Sequence, residues 1–199
     1  MNEFNINWEQ ERPNQQQSVD IWEKTILKPF DNWSNNAEIL KEKIEYTHIN
    51  GGIQLHKYKL TSNEHFNWFA YRNRLNKINF VERIISHKNL NNYRNDLEIE
   101  GIPEIQMIKS CTDIYDLSGL LARILGYGGA YNRIDPKEAW IVSNNFIKSE
   151  FENRFDEILQ FVFSIKNARW FYKIVWDYSI LLFDKRNNIL TLLDITDTD

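Results

Sequence analysis

The stretch Tyr178–Ile195, YSILLFDKRNNILTLLDI, contains two apolar runs separated by the polar break DKRNN. Two β-favouring runs separated by about five turn-prone residues are typical of a hairpin with a longer loop. In the first run, Ile180 and Leu182 alternate with Leu181 and Phe183, so both faces of this strand are apolar. Strands of this kind lie in the middle of a sheet that is covered on both sides. We therefore expect this hairpin to form the centre of the core.

Three other segments predict helices. Apolar residues recur at helical spacing over residues 63–77 and 116–125. Residues 136–149 follow Asp135, and Glu138 stands three positions after it, which is the pattern of an N-cap with a capping box. We expect an α+β fold, with a mostly antiparallel sheet centred on the C-terminal hairpin and helices packed against it.

The domain organisation predicted from the sequence is simple. Residues 1–17 are polar and form a lead-in, and residues 18–199 form a single α+β domain, since no repeat or linker interrupts them.

A second, N-terminal hairpin is expected over residues 44–60, because Asn50-Gly51 lies between two β-favouring runs. Asn-Gly supplies the positive φ angles that a type I′ turn requires. Short strands are expected at residues 97–99 and 105–108, and a loop at residues 89–95.

The composition excludes several classes of protein. Hydrophobic residues make up 42% of the chain and aromatic residues 14%, which excludes an intrinsically disordered protein. The single cysteine, Cys111, excludes an internal disulfide and favours a reducing compartment. The N-terminus lacks the features of a signal peptide, and no apolar run approaches eighteen residues. We expect a cytoplasmic protein that does not contact a membrane.

The charge is unevenly distributed. The net charge is −4, yet residues 56–94 carry eight positive and two negative residues. Three interpretations remain open for this basic segment: pairing with acidic parts of the same chain, binding of an acidic protein partner, or binding of single-stranded nucleic acid, which uses cations interleaved with aromatic rings. The candidate partner-binding residues are Trp68, Tyr71, Arg72, Arg74 and Lys77.

Motifs for cofactor or metal binding are weak. The glycines of residues 126–129 follow a predicted helix rather than a strand, so we expect a helix end and turn instead of a phosphate-binding loop. His48 and His56 would approach each other across the N-terminal hairpin, but a zinc site there would need carboxylate ligands that the sequence does not place. Cys111 has no neighbours that would stabilise a thiolate. No cofactor and no metal are predicted.

Aspartates cluster near the ends of the predicted C-terminal strands. Asp177 precedes a buried strand, where a carboxylate is costly unless it is paired. Two interpretations follow, a pair with Arg169 or Lys173, or an acid–base or metal site. The aspartates that could gather there are Asp177, Asp184, Asp194, Asp197 and Asp199.

The leading functional hypothesis is a non-enzymatic cytosolic protein-binding module, with an immunity-type inhibitor of a bacterial toxin as one form of it. Charge segregated into patches steers protein association, and no catalytic motif such as G-x-S-x-G is present. One alternative is a nucleic-acid-binding protein that uses the basic aromatic segment of residues 57–94. The other is a metal- or carboxylate-dependent enzyme built around Asp177.

Overall fold

A six-stranded antiparallel sheet forms the centre of the structure. The computed structural model describes residues 6–61 and 63–199. The strands are β1 (Ile26–Pro29), β2 (Gly52–Thr61), β3 (Ile105–Asp113), β4 (Ile158–Ile165), β5 (Tyr178–Asp184) and β6 (Ile189–Thr196). They follow the order β1-β2-β6-β5-β4-β3, so β1 and β3 are the edge strands.

The C-terminal hairpin lies in the middle of this sheet. Leu181 pairs with Leu192 and Ile180 with Leu193 across the hairpin, and all four side chains are fully buried. They contribute alternately to the two faces, each of which has its own hydrophobic core. The predicted α+β fold, with a mostly antiparallel sheet centred on this hairpin, is confirmed.

Helices cover both faces of the sheet. They are α1 (Gln15–Lys24), α2 (Asn35–Thr47), α3 (Glu64–Tyr71), α4 (Phe80–Ile85), α5 (Asn91–Asp96), α6 (Leu117–Tyr127) and α7 (Pro136–Phe151). Short 3-10 helices span Leu75–Ile78, Lys88–Leu90 and Phe155–Glu157. One face packs against α1, α3, α4 and α5, and the other packs against α2, α6 and α7.

The three predicted helices are present, with shifted ends. Helix α7 begins as its sequence predicts, because the Asp135 carboxylate accepts hydrogen bonds from the backbone N–H groups of Lys137 (2.9 Å) and Glu138 (3.3 Å). The helix expected over residues 63–77 is shorter. It ends at Tyr71, and a turn over residues 72–74 separates it from the 3-10 helix Leu75–Ile78. Helix α6 extends two residues beyond its predicted end.

Helix α7 is the longest helix in the described ranges, with 16 residues. Within those ranges, no helix has both the length and the apolar character needed to cross a bilayer.

The two cores differ in their chemistry. On the first face, Phe80 lies with its ring centroid 5.3 Å from that of Phe161 and 5.5 Å from that of Phe183, and Phe66 packs edge-on against Phe183 at 5.6 Å. The second face is mainly aliphatic, with Leu40 among its fully buried residues. Each such side chain stabilises the fold by about 1.5–3 kcal/mol. Much of the aromatic content of the chain therefore belongs to the core.

The predicted N-terminal hairpin over residues 44–60 is wrong. Ile44 lies in α2, where it follows Ala37 and Leu40 on the buried face at helical spacing. Ser34 caps this helix by accepting a hydrogen bond from the backbone N–H of Ala37 (3.2 Å). Only the second half of the segment is a strand. This strand, β2, pairs with β1 and β6 and not with residues 44–49, as the predicted hairpin would require.

Three smaller differences concern polar or short segments. Residues 97–99 contribute only an isolated bridge, from Ile99 to Ala168. Residues 89–95, expected to be a loop, lie largely in α5. The predicted lead-in, residues 1–17, includes the five residues outside the described part, and α1 begins within it at Gln15.

Asp197 fixes two loops against the end of β6. Its buried carboxylate accepts hydrogen bonds from the backbone N–H groups of Asn50 (2.9 Å) and Ala130 (2.7 Å), and Gly129 N–H donates to the Thr47 carbonyl (3.1 Å). A Cβ atom at Gly129 would overlap the Asp197 carboxylate and approach the Thr47 carbonyl oxygen. Only glycine fits this position, because both of those oxygens are held in place by the fold.

Replacing Gly129 by alanine should destabilise the protein by about 2 kcal/mol or more, because the new methyl group has no room. The matched control is Gly119→Ala in α6, where a Cβ atom meets nothing within 4 Å. That change should stabilise by about 0.5 kcal/mol, since alanine favours a helix over glycine. Urea unfolding followed by circular dichroism measures both effects. Equal effects of the two substitutions would contradict the role given to Asp197.

Candidate partner-binding surface

Four of the five predicted partner-binding residues lie together, at the end of α3 and in the turn that follows. Trp68 and Tyr71 belong to the helix, while Arg72 and Arg74 follow it. Asn73, between the two arginines, has a φ of 54°, and this left-handed conformation follows the end of the helix. The turn brings both guanidinium groups back over the Trp68 ring, with Cζ-to-centroid distances of 4.7 Å and 5.4 Å.

The Arg72 guanidinium lies against two tryptophan rings. Its Cζ atom is 4.7 Å from the centroid of Trp68 and 5.4 Å from that of Trp8. Its Nη2 donates to the carbonyl of Asn7 (2.6 Å), and Trp68 Nε1 donates to the carbonyl of Gln10 (2.9 Å). Each cation–π contact at an exposed site contributes about 0.5–1 kcal/mol. Together these contacts hold the N-terminal segment against α3.

These residues line a cleft of about 380 Å³, which we call the cationic cleft. Its lining residues are Trp8, Gln10, Trp68, Tyr71, Arg72, Asn73 and Arg74. Lys77 does not line it and lies exposed on the 3-10 helix of residues 75–78. The structure therefore brings four of the five predicted residues to one surface and leaves the fifth beside it.

Trp8 is the aromatic residue of this cleft that the sequence did not predict. It is 71% exposed, whereas Trp68 is only 5% exposed. The ring available to a partner is therefore that of Trp8. The two tryptophans are separated by sixty positions in the sequence, so no local pattern predicts that they share Arg72.

Other basic residues of the segment serve the fold. Lys57 forms a buried ion pair with Glu150, and its Nζ atom lies 4.2 Å above the Trp33 ring centroid. Lys59 donates to the carbonyl of Asn187. Tyr93 is fully buried, so its ring is unavailable for stacking on a base. Of the three interpretations of the basic segment, pairing within the chain therefore applies to Lys57 and Lys59.

The aspartates do not gather into one site. Asp177 accepts hydrogen bonds from Thr196 Oγ1 (2.6 Å) and from the backbone N–H of Ile174 (3.0 Å), so the expected pair with Arg169 or Lys173 is wrong. Asp184 instead pairs with Arg154, whose Nη2 lies 2.6 Å from Oδ2. In the part of the chain that the structure describes, no group of three or more His, Cys, Asp or Glu side chains could hold a metal ion.

Asp194 is the most unusual carboxylate. It is fully buried in β6, beside β5, and Oδ1 accepts hydrogen bonds from Ser179 Oγ (2.6 Å) and Tyr93 Oη (3.3 Å). Its Oδ2 atom has no partner among the described residues. Burial raises the pKa of Asp194 to about 7, because the two hydrogen bonds do not compensate for the lost water. Burial and the Asp194 carboxylate also raise the pKa of Tyr93 well above its usual value.

The glycine-rich loop is a structural turn, as the sequence predicts. Gly128 ends α6 with a φ of 70°, a conformation that glycine adopts without strain. The N–H group of Ala130, which could otherwise meet a phosphate, donates to Asp197. The loop therefore binds a carboxylate of the same chain.

His48, His56 and Cys111 lie on three different elements, at the end of α2, in β2 and in β3. His48 is the C-cap of α2 and its Nδ1 hydrogen-bonds to Thr47 Oγ1 (2.8 Å), whereas His56 lies in β2 with its Nε2 3.5 Å from Asp96. Burial lowers the pKa of both rings. Burial raises the pKa of the Cys111 thiol, which donates to a backbone carbonyl. A raised pKa disfavours the thiolate that a nucleophile requires.

A second exposed aromatic surface was not foreseen. It surrounds the connection between α6 and α7 and the end of α2, where Asn132 Nδ2 donates to the Tyr46 carbonyl (3.0 Å). Its exposed residues include Tyr46, Ile49, Tyr127 and Tyr131. Exposed tyrosines in a connection are hard to predict, because the same residues fill cores elsewhere.

Comparison with protein-family models finds no match to this chain, and comparison with curated proteins finds none either.

Asp194 should contribute a loss of stability as pH rises from about 4 to 8. A carboxyl group whose pKa is raised on folding stabilises the fold fully below its unfolded pKa of 3.8, and this contribution is lost as pH rises through about 7. The loss is on the order of 4 kcal/mol. Asp194→Asn does not titrate, so its stability should rise relative to the wild type over this range.

Urea unfolding of both proteins at several pH values between 4 and 8 measures this difference. The exposed Asp31 provides the control, and Asp31→Asn should leave the pH dependence unchanged. A difference between wild type and Asp194→Asn that stays constant with pH would show that Asp194 is ionised throughout.

Proposed function

We propose that this protein is a non-enzymatic, cytosolic protein-binding module whose cationic cleft binds an acidic surface of its partner. The observation that carries the proposal is the stack in which Arg72 lies between Trp8 and Trp68, with Arg74 beside it. Arginine and tryptophan are the residues that most often dominate the binding energy of protein interfaces.

The charge of the cleft specifies the chemistry of the partner. Among the described residues that line it, Arg72 and Arg74 are charged and no acidic side chain is present. Neither arginine has an ion pair with a described carboxylate. A carboxylate of a partner could therefore accept charge-assisted hydrogen bonds from either guanidinium group, and no existing ion pair would have to break.

The cleft is also held ready for binding. Arg72 is fixed by two rings and by the Asn7 carbonyl, and Trp68 by the Gln10 carbonyl. Side chains that are ordered before binding lose little conformational entropy when a partner arrives. A rigid cationic and aromatic surface on a small scaffold suits an immunity-type inhibitor of a bacterial toxin, and this is the specific form of the proposal.

The test uses tagged protein as bait in native lysate treated with nuclease. The variant Trp8→Ala/Arg74→Gln removes the exposed ring and the exposed guanidinium. The wild type should retain a stoichiometric acidic protein, and the double variant should bind that protein roughly tenfold more weakly, as the loss of a hot spot predicts. The dissociation constant is then measured with the purified partner by calorimetry.

The control is Lys88→Gln, which removes an exposed cation of the same basic segment outside the cleft. It should bind like the wild type. Equal binding by the cleft variant and the wild type would contradict the proposal, and so would capture of nucleic acid that nuclease abolishes. Thermal unfolding of each variant checks that its fold is retained.

A further inference from the structure

A second cavity is separate from the cationic cleft and lies where β4 ends and β5 begins, beside β3. It has a volume of about 500 Å³, within the range of about 300–1,000 Å³ typical of small-molecule pockets. Its lining residues are Ile108, Phe163, Ser164, Ile165, Lys166, Phe171, Lys173, Ile174, Asp177, Tyr178 and Ser179. Apolar side chains from β3, β4 and the segment before β5 supply most of its wall.

The polar groups of the wall fall into two kinds. Ser179 already donates to Asp194, and both oxygens of Asp177 already accept hydrogen bonds. Lys166 and Lys173 differ, because in the described ranges neither ammonium group has a hydrogen-bond or ion-pair partner. The charged side chains of the wall are Lys166, Lys173 and Asp177, and their charges sum to +1.

Two apolar residues, one in the lining and one next to it, are strongly exposed. Ile108 lies on edge strand β3 with 68% of its surface exposed, and Val175, next to the lining residue Ile174, is 79% exposed. Exposed apolar residues beside a concave surface are typical of a ligand-binding site.

We propose that this cavity binds a small apolar carboxylic acid. Its hydrocarbon or aromatic body would occupy the space between Phe163, Phe171 and Ile174, and its carboxylate would pair with Lys166 and Lys173. Burial of the apolar body supplies most of the binding free energy, and the two lysines select an anion over a neutral or cationic molecule of the same shape. No bond is made or broken.

The test compares three probes with the same ten-carbon chain, namely decanoate, decanol and decyltrimethylammonium, each below its critical micelle concentration. Decanoate should bind once per chain and more tightly than decanol, and decyltrimethylammonium should bind least. Calorimetry gives the affinities, and amide chemical-shift changes in NMR spectra locate the site. The shifts should concentrate at the lining residues of β4 and β5.

The variant Lys166→Gln/Lys173→Gln should weaken decanoate binding by roughly two- to tenfold, as expected for two partly exposed ion pairs, and leave decanol binding unchanged. The matched control, Lys88→Gln/Lys148→Gln, removes two exposed lysines that do not line the cavity and should change neither.

A second pair of variants tests the position of the site. Ile108→Asp places a negative charge beside the cavity and should weaken decanoate more than decanol. Ile102→Asp, at a residue that is also exposed but does not line the cavity, should have no effect. Equal affinity for the three probes, no binding of decanoate, or chemical-shift changes at another surface would each overturn the proposal.

Discussion

The fold depends on the burial of a hairpin that is apolar on both faces. Leu181 and Leu192 point to one side of the sheet, and Ile180 and Leu193 point to the other. Exposure of either face to water would therefore cost a large amount of folding free energy. Each face requires its own layer of helices, and the chain supplies them from two groups of segments. The remaining strands extend this central pair on both sides, and the edge strands β1 and β3 are the short or bulged ones. The arrangement agrees with the rule that two-sided apolar strands occupy covered positions.

Polar contacts then fix the layers and loops around this core. The buried Lys57–Glu150 pair joins β2 to the end of α7, Asp197 joins the end of β6 to two loops, and Arg154 joins the segment after α7 to Asp184 at the hairpin turn. These contacts occupy Lys57, Asp184 and Asp197, three of the residues that looked available for chemistry in the sequence. The surface includes a pair of arginines with tryptophans, a patch of tyrosines and two lysines beside an apolar cavity.

The sequence predicts the parts of the fold that local patterns control. The C-terminal hairpin, α6 and α7 follow from alternation, spacing and an N-cap, which are all short-range signals. The N-terminal hairpin failed because Asn50-Gly51 and the β-branched residues around it favour a turn and strands, whereas α2 gains more by burying Ile44. The partners of β2 could not be foreseen, since β6 lies about 140 positions later in the chain. For the same reason the sequence predicted Arg72 and Trp68 as candidates but not Trp8, whose contact with them depends on tertiary structure.

Native-state hydrogen exchange tests the central claim most directly. If burial on both faces of β5 and β6 determines the fold, the amides of residues 180–183 and 190–193 should exchange only through global unfolding. Amides of the edge strands β1 and β3 should exchange faster, through local opening. Their protection should therefore correspond to a smaller free energy than that obtained from urea unfolding. The opposite order, with the hairpin amides exchanging as fast as those of the edge strands, would contradict this account of the fold.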